Sequence, residues 1–149
     1  MANKPICLMV SLLFVATFFP SCSTTHQISN GNTNQCMNVV NHGYPVAGTP
    51  LRAKPCDPWQ NQQWELVNGQ LTGVGGFCVD TQDGASADGT PVLYVPCNGR
   101  PSQHWTIANN QIVGIDGKCI DVGSYDQAEF PPLVIATCSS SLSQVWLLH

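Results

Sequence analysis

Charge is scarce in this 149-residue chain. Charged residues make up 9% of it, and the basic ones are only Lys4, Arg52, Lys54, Arg100 and Lys118. The formal net charge is −4. Binding a phosphate backbone needs a basic patch, so nucleic acid is not an expected partner. Long helical patterns are missing too. After the leader, every apolar segment is short and bounded by Gly, Pro or Asn, which excludes helical repeats. No C-x-x-C pair or His cluster is present, so no zinc site is expected. The acids of "DTQDGASADG" (80–89) do not match a calcium loop. There is no phosphate loop or zinc-protease motif, and no Asn-x-Ser/Thr sequon. His42 and His104 have no recurrent Ser or Cys partner. The sequence therefore predicts no enzyme, no metal and no cofactor.

What is present begins with the N-terminus. "MANK" carries charge, "ICLMVSLLFVATFF" (6–19) is continuously apolar, and "PSCS" has small residues. This is the order of an export signal, and the run is too short for an ordinary membrane span. Cleavage after Ser23, giving a soluble secreted product, is the expected outcome. The alternative places Cys22, after "FPS", in a lipoprotein-type box, with anchoring to a bacterial envelope through Cys22. Contact with a membrane is expected only in that case. The division is thus 1–23 signal and 24–149 domain. With 43% apolar residues, the domain can bury one core. Its surface must be wetted by neutral amides and hydroxyls, as is common outside the cell.

Within the domain a unit recurs three times. Gln62-Gln63-Trp64, Gln103-His104-Trp105 and Gln144-Val145-Trp146 are spaced 41 residues apart. Each unit opens on Gln and an aliphatic residue (Gln27-Ile28, Gln70-Leu71, Gln111-Ile112). It then carries "CMNV", "CVDT" or "CIDV", a long turn ending "GTPL", "GTPV" or "FPPL", a second Cys, and the Gln-x-Trp. The repeat selects one of the fifteen pairings open to six Cys: Cys36–Cys56, Cys78–Cys97 and Cys119–Cys138. Export makes such bridges consistent, and each would contribute about 3 kcal/mol in the chain-entropy account. The pattern is all-β, with about four strands per repeat. Three repeats are too few for a propeller, which needs at least about four blades.

Over residues 27 to 149 these motifs resemble the ricin B-type lectin family. The resemblance implies a β-trefoil, a barrel capped by hairpins, in which Trp64, Trp105 and Trp146 enter a shared core. It also implies glycan binding. The family places an Asp two residues after the first Cys, a Gln four before the second Cys, an aromatic two before it, and an Asn just before the Gln-x-Trp. Carried over, these positions hold Asn38, Arg52, Lys54, Asn61 and Gln62 in the first lobe. The second lobe has Asp80, Leu93, Val95, Ser102 and Gln103; the third has Asp121, Val134, Ala136, Ser143 and Gln144. The candidate sugar-binding residues are therefore Asn38, Asn61, Gln62, Asp80, Gln103, Asp121 and Gln144. No lobe has the full set or the usual stacking ring. Asp80 and Asp121 also read as turn carboxylates that cap backbone amides. Tyr44, Tyr125 and Trp59 are candidate contact rings, Trp59 standing where the other lobes have Arg100 and Leu142. Arg52 and Lys54 read as a solvated strand face or as a contact for an acidic sugar. Two functions follow: a glycan-binding module acting weakly per lobe and through several lobes, or a trefoil serving as an interaction or delivery subunit of a larger secreted assembly.

Overall fold

The computed structural model describes residues 24–40, 46–124 and 130–149. The export signal, Cys22, Tyr44 and Tyr125 lie outside these residues. The first lobe contains β1 (Ile28–Asn30), β2 (Gln35–Val39), β3 (Thr49–Pro55) and β4 (Glu65–Val67). The second contains β5 (Gln70–Thr72), β6 (Cys78–Thr81), β7 (Val92–Val95) and β8 (Thr106–Ala108). The third contains β9 (Gln111–Val113), β10 (Lys118–Val122), β11 (Leu133–Thr137) and β12 (Trp146–Leu148). This is the expected all-β arrangement of four strands per repeat.

The strands pair antiparallel, and turn chemistry explains the joins. Asn68 and Gly69 both take positive φ between β4 and β5, as Asn109 and Asn110 do between β8 and β9. Two successive left-handed residues make the tight turn whose twist suits a hairpin. The ring closes when β12 pairs with β1, with Trp146 opposite Asn30 and Leu148 opposite Ile28. Each Trp also ties the end of its lobe to the start. The amides of Trp64, Trp105 and Trp146 donate to the carbonyls of His26 (2.9 Å), Gly69 (2.7 Å) and Asn110 (2.7 Å). At the other end, the three hairpins meet through Thr49 opposite Tyr94, Arg52 opposite Pro132, and Pro91 opposite Val134.

Alternation along the strands sends one residue in two into a common core. The core is built in threes: Ile28, Leu71 and Ile112; Met37, Val79 and Ile120; Leu51, Val92 and Leu133; and the three Trp residues, all buried. Each indole N–H donates to the backbone carbonyl just after the first Cys of its lobe: Trp64 to Met37 (3.0 Å), Trp105 to Val79 (2.9 Å) and Trp146 to Ile120 (2.9 Å). The polar edge of each ring is satisfied, so its whole apolar area can be buried. The indoles also dictate glycine. A Cβ at Gly114 would sit 2.5 Å from the Trp105 ring, and one at Gly73 would sit 3.1 Å from Trp64. One layer breaks the symmetry, with Ala53, Tyr94 and Ile135 at equivalent places. Tyr94 packs edge-on to Trp64 and donates its hydroxyl to the Val74 carbonyl at 2.8 Å. Cys36–Cys56, Cys78–Cys97 and Cys119–Cys138 are bridged, one cystine per repeat as the spacing predicts.

Candidate functional site

In each lobe the Gln of Gln-x-Trp ends a short 3-10 turn: Gln60–Gln62, Pro101–Gln103 or Leu142–Gln144. Its side chain then makes the same three kinds of bond. Gln103 Oε1 accepts from the Asn98 amide (2.8 Å), while Nε2 donates to the Pro96 carbonyl (3.1 Å) and to Asp80 Oδ2 (3.0 Å). Gln144 accepts from the Ser139 amide (2.8 Å) and donates to the Thr137 carbonyl (3.1 Å) and Asp121 Oδ2 (3.0 Å). Gln62 accepts from the Asp57 amide (2.9 Å) and donates to the Pro55 carbonyl (3.0 Å) and Asn38 Oδ1 (3.2 Å). All three Gln residues are buried. Both N–H groups of each amide are spent, so these residues act by holding the loop after the second Cys and by orienting the acid or amide. The Asp and Asn positions are where the lobes diverge.

In the second lobe Asp80 is fully buried. Its Oδ1 accepts from the Thr81 amide at 2.7 Å, and its Oδ2 accepts from Arg100 Nε at 2.9 Å as well as from Gln103. Arg100 is half exposed and lies across the carboxylate. The lobe is closed by its own side chain. The aligned sequence gave no sign of this, because no other lobe has a basic residue at the place of Arg100.

In the first lobe Asn38 Oδ1 also accepts from Asn61 Nδ2 at 2.8 Å, and Asn61 donates to the Val39 carbonyl at 3.3 Å. The two amides thus satisfy each other in part. Asn38 Nδ2 and Asn61 Oδ1 are buried without a partner among the described residues. Arg52 and Lys54 are already engaged with the third lobe. Arg52 donates to the Phe130 carbonyl at 2.7 Å, and Lys54 Nζ lies 4.8 Å from the centre of the Phe130 ring. That pair joins two lobes, a role neither sequence reading of it included.

In the third lobe Asp121 is half-buried. Gln144 holds Oδ2, while Oδ1 is shielded from water and has no donor among the described residues. Of the two equivalent carboxylates, this is the one with acceptor capacity to spare.

Trp59 is 69% exposed. It precedes the first 3-10 turn, and the residues in that place in the other lobes are Arg100 and Ser141. Leu142 is instead the first residue of its turn and corresponds to Gln60, which corrects the alignment read from sequence.

A closed ring of three lobes, each with a Gln-held carboxylate or amide beside a cystine, defines a β-trefoil of the lectin type. The chain belongs to the ricin-type beta-trefoil lectin domain family, whose model matches residues 24–146. It is a carbohydrate-binding domain by that membership. No curated protein sequence matches the chain. Among solved structures it is similar to ThreeFoil, a designed 3-fold symmetric protein, with 20% identity and a TM-score of 0.74 over 83% of this chain and 96% of that one. It is similar to the C-terminal domain of an earthworm lectin, a mutant in complex with 6′-sialyllactose (15%, TM-score 0.70, 83% and 96%). It is also similar to part of an exo-β-1,3-galactanase from Clostridium thermocellum (22%, TM-score 0.75), covering 88% of this chain but 31% of the enzyme.

Proposed function

We propose that the protein is an exported, non-catalytic glycan-binding module whose third lobe makes the primary contact. The supporting observation is Asp121: Gln144 fixes one carboxylate oxygen, and the other has no donor among the described residues. A sugar hydroxyl would supply that donor, and an acceptor left unpaired out of water costs about 1–3 kcal/mol. The second lobe is occupied by Arg100, and in the first Asn38 and Asn61 occupy each other in part, so single-site binding is weak. The place of the stacking ring is taken by Lys54, Val95 and Ala136. Strength would come from engaging more than one lobe, or more than one copy, on the same surface. Export is supported by the apolar run at 6–19 and by three cystines, which persist in oxidising compartments.

A glycan array with residues 24–149 tests this. Binding that is lost in Asp121→Ala and kept in Asp80→Ala is the expected result. No binding to any glycan, with the fold intact by circular dichroism, would replace it with the second reading, a trefoil acting as an interaction or delivery subunit of a secreted assembly. The exposed Leu142, Leu147 and Leu148 of the third lobe favour that reading as the alternative. Intact-mass measurement of native material distinguishes cleavage after Ser23 from acylation at Cys22, which adds long hydrocarbon chains.

A further inference from the structure

The three lobes act as controls for one another. What the barrel requires recurs in each, and what appears in one lobe alone is free to serve something else. One groove has this second character. It has a volume of about 320 Å³, at the small end for ligand sites, and is lined by Thr25, Gln60, Gln63, Glu65, Thr72 and Val74, with Gly73 at the Trp64 ring. Where the first lobe has Gln60, Gln63 and Glu65, the second has Pro101, His104 and Thr106, and the third has Leu142, Val145 and Leu147. The same turn and strand therefore form with apolar residues at these places. The amides and the carboxylate are not needed by the fold.

Their chemistry is that of a hydroxyl reader. Each Gln amide offers donors, Gln60 also an acceptor, and the Glu65 carboxylate offers acceptors only; the Thr25 and Thr72 hydroxyls donate to Gln63 Oε1 (3.4 Å) and the Glu65 carbonyl (3.3 Å) and keep their acceptor side for a ligand. Among the described residues no Lys or Arg lines the groove, so an anionic ligand would face Glu65 uncompensated. The groove also adjoins two features already described. Trp59, 69% exposed, immediately precedes Gln60, and Asn61 of the same turn bonds Asn38 in the lobe's own cleft.

We infer that this groove, with Trp59, is a further subsite that binds a neutral oligosaccharide, distinct from the Gln-held positions of the three lobes. The inference rests on the glycan-binding reading above and makes that reading specific: the ligand is a chain of neutral sugars, not a single sugar. The test is calorimetry with galacto-, xylo- and cello-oligosaccharides of one to six units, and oligogalacturonate as the anionic comparison. Affinity should rise about tenfold with length, the size of one or two added hydrogen bonds. The variant Gln60→Pro/Gln63→His/Glu65→Thr carries the residues that the second lobe already accommodates. It should lose the gain with length and keep single-sugar binding. Glu65→Thr alone, the mildest change, should lose part of the gain if the triple variant does not fold. A gain that survives in these variants, equal affinity for one unit and six, or preference for oligogalacturonate would overturn the inference. Absence of all glycan binding by the unaltered protein would instead remove the reading beneath it, and this inference with it.

Discussion

Arg100 Nε lies 2.9 Å from Asp80 Oδ2 and covers a carboxylate that has no exposure of its own. The second lobe is thus closed from within. Arg100→Ala should free one acceptor position on Asp80 while Gln103 still holds the same oxygen. In an Asp121→Ala background, where binding is expected to be lost, Arg100→Ala should restore measurable glycan binding. It should also lower stability by about 2 kcal/mol, the scale of one hydrogen bond to a charged group. Urea unfolding and the glycan array read the two effects separately. Lost stability with no restored binding would show that Arg100 is only a strut.

Gln144→Ala removes one acceptor from the Ser139 amide and two donors from Thr137 and Asp121. We expect a loss of about 1–3 kcal/mol, because buried groups are left unpaired. Glycan binding should fall with it, since Asp121 would no longer be held. Gln144→Glu should cost more than Gln144→Ala, because a second carboxylate would meet Asp121. Chemical denaturation of the two variants gives the order.

Two glycines differ by the clearance they leave for an indole. Gly114→Ala places a Cβ 2.5 Å from the Trp105 ring, and Gly73→Ala places one 3.1 Å from Trp64. Overpacking of this kind costs about 1–3 kcal/mol. Gly114→Ala should therefore be the more destabilising of the two. Thermal unfolding that reversed the order would mean the Trp105 ring shifts more freely than its burial implies.

The Tyr94 phenol is pushed up to about 12, chiefly by burial. In the unfolded chain it titrates near 10. Its contribution is fully present below pH 10. Between roughly pH 10 and 12 the unfolded chain sheds the proton and the folded chain keeps it, so stability falls as pH rises. Tyr94→Phe should flatten that part of the profile, at the expense of the bond to the Val74 carbonyl. Urea midpoints at several alkaline pH values check it, and parallel curves for the two proteins would count against it.

The architecture was legible because it is repeated. The spacing of Cys36, Cys56 and their counterparts predicted the cystines, and Trp64, Trp105 and Trp146 predicted the shared core. What the repeat could not show is whatever one lobe does alone. The cover of Arg100 over Asp80 joins residues twenty apart with no echo elsewhere. Arg52 and Lys54 turn to Phe130, a residue of another lobe, and only the assembled ring brings them together. The groove at Gln60 and Glu65 draws on Thr25 at one end and Thr72 at the other, which no window along the chain would group.

The pairing of β12 with β1 has a consequence for how the chain must be built. Ile28 meets Leu148, and Ser29 Oγ lies 2.7 Å from His149 Nε2. A polypeptide emerging residue by residue could form its cystines and inner hairpins early and pair its opening strand with β2, but the other edge of that strand would stay open until β12 was made. Contacts of such long sequence separation form slowly. In the meantime that strand is the edge most open to pairing with a stranger.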